Sequence, residues 1–146
     1  MIALLQRVTQ ARVEVGAEIV GAIGHGLLVL VCAEPGDAPP QVRRLADKLL
    51  KLRVFADDAG RMNRSVQDVG GGVLVVPQFT LAANTDGGNR PSFSGAAPPA
   101  QGEALVDALV GALRARHPQV ASGRFGAAMQ VHLVNDGPVT IPLRIV

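Results

Sequence analysis

Two apolar runs limit what this chain can fold into more than any other feature. Leu27-Leu-Val-Leu-Val-Cys32 follows the turn signal Gly24-His25-Gly26, and Val73-Leu-Val-Val76 follows Gly70-Gly-Gly72 and ends at Pro77. Neither run alternates apolar with polar residues, so each reads as a buried central strand. Proline cannot donate to a ladder, which closes the second run. Cys32 lies inside the first and reads as a small buried hydrophobe rather than a reactive thiol.

The surroundings supply the layers such strands need. Ile2 to Val15 is rich in β-branched residues and suggests a strand pair; Gly16-Ala-Glu18 then predicts a hairpin turn and Ile19–Ile23 a further strand. Pro35 to Pro40 breaks this meander and introduces a helix, where Val42, Leu45, Ala46, Leu49 and Leu52 form one apolar face. Arg43, Arg44, Lys48 and Lys51 fall on its other faces, and a solvated surface accounts for them as well as phosphate contacts do. Val54–Ala56 and Ser65–Val66 are short strand candidates around the turn Asp57-Asp-Ala-Gly60. Asn84 to Pro99 reads as a long loop, of the kind that carries function in compact domains. Gln101–Arg116 predicts a second helix, with His117 capping its end and Pro118 closing it. Met129–Val134 and Val139–Val146 read as two closing strands around Asn135-Asp-Gly-Pro138. The order ββββ-α-ββ-α-ββ predicts an α/β chain of one domain, residues 1–146, with both helices packed on one side of an antiparallel or mixed sheet.

Composition then narrows the chemistry. The 146 residues include one cysteine, three histidines, and neither tryptophan nor tryptophan's phenolic counterpart tyrosine. His25, His117 and His132 stand far apart with no His-x-x-x-His spacing, so no metal centre is expected. No Gly-x-Ser-x-Gly elbow is present, and Gly70-Gly-Gly72 precedes a strand rather than a helix, the wrong context for a nucleotide fingerprint. Asp57-Asp58 reads as a turn former rather than an acid–base pair. The start of the chain lacks a basic leader pattern, and no apolar run approaches the ~18 residues of a membrane span; a soluble, cytoplasmic protein is the expectation. A net charge of +2 permits an RNA partner without requiring one. What remains are 17 glycines and 10 prolines, concentrated at turns, and two segments at strand ends. These are Pro77-Gln-Phe-Thr-Leu81 and Asn135-Asp-Gly-Pro-Val-Thr140, where backbone groups are free to meet a ligand and a Gly-Pro bond can be cis.

Those segments carry a resemblance. Gln6-Arg-Val-Thr9, Met62-Asn63 with Ser65-Val66, Pro77-Gln-Phe-Thr-Leu81, Arg90-Pro-Ser-Phe93, Gly123-Arg-Phe-Gly-Ala127 and Asn135-Asp-Gly-Pro-Val-Thr140, in this order and spacing, resemble the D-aminoacyl-tRNA deacylases over nearly the whole chain. The resemblance implies a barrel-like sandwich with two helices on one side. It also implies a cytoplasmic homodimer without a cofactor that hydrolyses the ester between a D-amino acid, or glycine, and the terminal ribose of tRNA, a chiral proofreading step in translation. Gln78, Phe79 and Thr80 would be catalytic, their backbone N–H groups stabilising the oxyanion. Gly137-Pro138 would be a cis peptide inserted into the partner subunit's active site, held in place by Arg7. Arg90, Phe93, Met129 and Asn135 would complete the substrate-binding set. Thr80 is the one side chain that could act as a nucleophile, and nothing in the sequence offers it a base.

One position departs from the family, which usually has serine where this chain has Pro77. A related animal enzyme that removes misattached L-alanine tends to carry proline there, but with alanine in place of Phe79. Two other readings therefore stand beside the first: an editing esterase of the same fold for an L-amino acid, and a nucleic-acid-binding protein without catalysis.

Overall fold

The computed structural model describes residues 1–146. Three strands come first: β1 (Ile2–Val15), β2 (Glu18–Ile23) and β3 (Gly26–Cys32). Then follow α1 (Pro39–Lys51), the small hairpin β4 (Phe55–Ala56) and β5 (Met62–Arg64), and a one-turn helix α2 (Val66–Val69). β6 (Gly72–Pro77), a 3-10 turn (Phe79–Ala82), α3 (Pro99–Arg114), β7 (Val120–Ser122) and β8 (Gln130–Arg144) complete the chain.

The main sheet has the order β2-β1-β3-β6-β7, with β8 added along the other edge of β1. The first half of β1 pairs antiparallel with β3 and the second half with β2, while β8 follows it throughout. β6 lies parallel to both β3 and β7. Parallel neighbours need crossover connections, and here those connections contain α1 and α3, which is why both helices cover one face. The sheet curls until β2 meets β7: a Cβ on Gly21 would lie 2.6 Å from the Ser122 carbonyl oxygen. The result is a nearly closed mixed sheet with helices on one side, the fold class expected.

Two cores explain the unbroken apolar runs. Leu27, Val29, Val31, Val73 and Val75 face Leu45 and Leu49 of α1 and Leu109 and Leu113 of α3. Leu28, Leu74 and Val76 face the opposite way, onto Val8, Ala11 and Val13 inside the curl of the sheet. β3 and β6 are thus buried on both faces, which is what a strand without polar alternation requires.

Several elements differ from expectation. Ile2–Val15 is one strand rather than a pair, so three strands, not four, precede α1. Its inward parity shifts from Met1, Ala3 and Leu5 to Val8 and then Ala11 and Val13, because the β1–β8 register slips on either side of Val8; that break in alternation mimics a strand boundary. Met129–Val134 and Val139–Val146 likewise fall within one strand, β8, apart from Met129, Ile145 and Val146, which lie just beyond its ends. Ser65–Val66 is not a strand: the Ser65 hydroxyl accepts from Asp68 N–H and the Asp68 carboxylate accepts from Ser65 N–H, a reciprocal cap that starts α2. α3 begins and ends two residues earlier than the periodicity suggested, and β7 and the 3-10 turn were not expected at all. His117 does not cap its helix; it is buried, with Nε2 2.6 Å from the Gly71 carbonyl, tying the end of α3 to the start of β6. No helix is long and apolar enough to cross a membrane.

Candidate active site

The Cys32 end of β3 carries a recess. β6 ends at Pro77 opposite Val31, and Gln78 N–H extends the pairing by one bond, 2.8 Å to the Val31 carbonyl. The chain then tightens into the 3-10 turn, whose first bond runs from Leu81 N–H to the Gln78 carbonyl. The N–H groups of Phe79 and Thr80 precede that bond and have no acceptor within the turn. Gln78 Nε2 donates to Thr80 Oγ1, fixing the hydroxyl beside the turn. Beneath lies Cys32, its Sγ 3.7 Å from the Phe79 carbonyl and 3.3 Å from that of Ala33. Burial, and then the neighbouring Glu34 carboxylate, push this thiol's pKa up, so it stays a protonated donor.

Above the turn opens a cleft of about 700 Å³. Pro77, Gln78 and Phe79 form its base, Phe93 and Ala96–Pro99 one wall, and Phe125–Ala127 with Met129 the other. The wall from 93 to 99 is placed by Ala97 N–H bonding the Ala33 carbonyl at 2.8 Å, and by paired backbone bonds between Asn84 and Ser92. Phe93 meets Phe79 edge to face, 5.0 Å between ring centres. Met129 reaches the cleft across Gly123, where a Cβ would lie 2.8 Å from its sulfur. None of the fourteen lining residues is ionisable. The cleft can therefore bind an apolar or aromatic group and offer amide donors, but it holds no side-chain acid or base of its own.

The second segment lies at the opposite end of β3. Between the pairs Gln6–Thr140 and Val8–Asn135, β1 advances two residues while β8 advances five. The excess loops out as Asp136–Val139. Asn135 replaces the missing ladder partner: its Oδ1 accepts Val139 N–H at 2.8 Å and its Nδ2 donates to the Val139 carbonyl and to Thr140 Oγ1, both at 3.1 Å. Arg7, largely buried, donates to the Asp136 carbonyl at 2.9 Å and to the Val54 carbonyl at 2.7 Å, with the Asp136 carboxylate 3.4 Å away. Gly137-Pro138 at the tip is a cis peptide, and both residues are exposed.

The sequence-predicted residues thus form two groups. Gln78, Phe79, Phe93 and Met129 share the recess, with Thr80 at the head of its turn; Arg7, Asn135, Gly137 and Pro138 share the loop. Arg90 joins neither, being exposed on the 84–98 loop outside the cleft lining. Val8, paired with Asn135, is opposite Gly26, whereas Pro77 is opposite Val31. Five residues of β3 separate the groups, about 17 Å at ~3.3 Å per residue. Sequence reasoning did not single out Cys32 as a support for Phe79, Asp136 and the Val54 carbonyl as anchors of Arg7, or Pro98, Pro99 and Phe125 as cleft walls. Phe125 stands inside a quoted motif, so its signal was available; the others depend on contacts distant in sequence.

Residues 4–144 match the sequence profile of the family described as D-Tyr-tRNA(Tyr) deacylase. The chain belongs to this deacylase family. A D-aminoacyl-tRNA deacylase from Aromatoleum aromaticum is 68% identical over 146 residues, covering 100% of this chain and 96% of its own. Another, from Acidovorax ebreus, is 67% identical over 150 residues, with 99% and 98% covered. Among solved structures, the c-Myc DNA Unwinding Element Binding Protein superimposes with a TM-score of 0.93 at 41% identity, over 99% of this chain and 98% of its own. A probable eukaryotic D-amino acid tRNA deacylase, 19% identical, shares the fold with a TM-score of 0.83 over 97% of each chain. As a member of the deacylase family, the chain is a hydrolase acting on an ester bond.

Proposed function

We propose that this deacylase hydrolyses the ester joining a D-amino acid or glycine to the terminal ribose of tRNA, without a cofactor, in a site assembled from two subunits. The observation that carries the reading is the division of the two motifs between opposite ends of β3. The recess has open amide donors and apolar walls but no carboxylate to pair with an α-ammonium group. The loop has exposed carbonyls at Gly137 and Pro138 but no cleft. A homodimer in which each loop enters the partner's recess unites them, and a two-fold arrangement completes both sites at once.

In such a site the Phe79 and Thr80 N–H groups stabilise the oxyanion that forms when water adds to the ester carbonyl. The carbon–oxygen bond to the ribose then breaks, the ribose oxygen takes a proton, and free amino acid and tRNA leave. The neighbouring ribose hydroxyl assists from the substrate side. An aminoacyl ester is already activated, and positioning alone can supply ~7–11 kcal/mol, so a cleft without an ionisable side chain suffices. The Gly137 carbonyl accepts from the substrate's α-ammonium, and the loop excludes an L side chain by contact. A tRNA substrate puts the enzyme in the cytoplasm.

Hydrolysis of D- and L-tyrosyl-tRNA in the presence of a chelator tests this. The expected result is rapid D-ester cleavage, little L-ester cleavage and no effect of chelator. Preferential L-ester cleavage would turn the reading to the L-editing alternative. Salt-sensitive tRNA binding without cleavage of either ester would leave the nucleic-acid-binding alternative, which the 41% identical DNA-unwinding-element binder keeps in view.

A further inference from the structure

Three consecutive residues at the end of β3 hold the parts of the cleft. The Val31 carbonyl accepts Gln78 N–H at 2.8 Å, and the Ala33 carbonyl accepts Ala97 N–H at 2.8 Å. These bonds place the base and one wall. Cys32 stands between them, 3% exposed, and meets the 3-10 turn with its side chain instead. Its sulfur accepts Ala82 N–H and lies 3.7 Å from the Phe79 carbonyl. Phe79 and Ala82 are the acceptor and donor positions of one i→i+3 step of the turn, so the thiol bridges both. A thiol has one proton to give. Of its two acceptors, the Ala33 carbonyl is already bonded by Ala97 N–H.

The consequence falls on the other side of the same peptide unit. The Phe79 carbonyl and the Thr80 N–H belong to one planar trans peptide, in which they point in opposite directions. A carbonyl turned down onto buried Cys32 therefore turns the Thr80 N–H outward, to the exposed side of the turn. A hydrogen bond to the carbonyl also polarises the amide and strengthens its N–H as a donor. Burial of the flanking side chains does not hold this plane, since Phe79 is 58% exposed and Thr80 is exposed as well. Beneath the turn a cavity of about 30 Å³ lies between Cys32, Phe79, Gly102, Val106 and Phe125. The peptide has room to tilt once its tether is cut. Resting on the reading of the turn amides as oxyanion donors, we propose that Cys32 is a positioning residue for ester hydrolysis, its thiol holding the Phe79 carbonyl and thereby aiming the Thr80 N–H at the oxyanion. The oxyanion exists only once the ester is attacked, so the contribution falls on kcat rather than KM. It serves D- and L-esters alike, because the loop and not the turn tells them apart.

Three variants of the full-length protein separate the hydrogen bond from the packing. C32A removes both donor and volume, C32V restores apolar volume without a donor, and C32S restores a donor on a smaller side chain. Loss of an oxyanion donor costs ~10²–10³ in rate, and a misaimed one is expected to cost about tenfold. On D-tyrosyl-tRNA, kcat should fall by that factor in C32A and C32V, with KM and the D-to-L ratio unchanged. C32S should recover most of the loss. Thermal unfolding should rank the variants differently, with C32V closest to the parent, because a buried hydroxyl costs more than a methyl group. The chain has one cysteine, so its S–H stretching band in the Raman spectrum reports this thiol alone and should sit at the hydrogen-bonded frequency. Parent-like kcat in C32V, a kcat that merely follows stability across the three variants, or an S–H band at the free frequency would overturn the proposal. A parent that cleaves no D-ester would instead remove the hydrolase reading, and this role with it.

Discussion

The two ends of β3 solve different problems with the same material. At the Cys32 end the chain stops pairing and leaves backbone donors open above a thiol and between aromatic rings. At the Gly26 end it interrupts a strand and then ties the interruption down with Asn135 and Arg7. One end is a cavity whose useful groups are those left without partners. The other is a projection whose useful groups are presented because every flanking group has a partner. The recess should therefore tolerate loss of a side-chain hydroxyl, whereas the loop should fail when its anchors or its shape change.

Gly137→Ala should have the largest effect. An added Cβ would lie 2.5 Å from Val139 N and 2.7 Å from Val139 Cγ2, so the tip must move. A displacement of about 1 Å in a positioning group can cost ~100-fold, and at least that loss in kcat/KM on D-tyrosyl-tRNA is expected, with thermal stability nearly unchanged because the tip is exposed. Parent-like turnover would show that the loop does not reach the reacting ester. Arg7→Ala comes next. It leaves the Asp136 and Val54 carbonyls without their donor, at a cost of ~1–3 kcal/mol in stability, and should lower kcat/KM by about tenfold or more. Arg7→Lys, which keeps the charge but lacks the planar fork of the guanidinium, should fall between; a loss of stability without loss of turnover would break the link between anchor and loop.

Thr80→Ala should matter less, because the open N–H of that residue survives the substitution. Loss of under about tenfold in kcat is expected, against ~10⁴-fold or more for removal of a nucleophile. A collapse of turnover with tRNA binding intact would give Thr80 the chemical role and sink the backbone mechanism. The smallest effect is on acid stability. Backbone N–H groups of Arg61 and then Ala59 hold the Asp57 carboxyl below its ordinary value of 3.8, and those of Ser65 do the same for Asp68. Both groups bind protons more weakly when folded, so their contribution is complete above about pH 4 and is lost as pH falls through the folded value. Both lie in the segment behind Val54 and Arg7. Hydrogen exchange in mild acid should accordingly show the β4–β5 hairpin loosening before the recess, and Asp57→Asn should reduce that difference.

Much of the architecture was legible because it rests on local pattern. The apolar runs, the amphipathic helices and the turn at Asp57 needed no distant information, and Cys32 is buried as its neighbours implied. The long strands were misread for a definite reason. A bulge changes which parity of residues faces the core, and an insertion such as Asp136–Val139 looks in sequence like the end of one strand and the start of another. The site motifs were recognisable by type, since glycine, proline and asparagine at strand ends announce special backbone. Their grouping was not recognisable. That Phe79 and Phe93 face each other, while Gly137 lies some five residues of sheet away, depends on the parallel β3–β6 pairing, which no local pattern announces. Arg90 illustrates the converse, a motif residue three positions from Phe93 that stands outside the cleft.

The insertion in β8 also bears on how such a protein can change. Pairing with β1 resumes on both sides of it, so Val131 and Leu133 before the loop, and Ile141 and Leu143 after it, are set by separate stretches of ladder. One residue added or lost anywhere else along β8 would turn an apolar row toward water. Between Asn135 and Thr140 the same change is absorbed by the loop itself. The strand is a ruler with one sliding section, and that section is the part that faces the substrate's amino group in the proposed site.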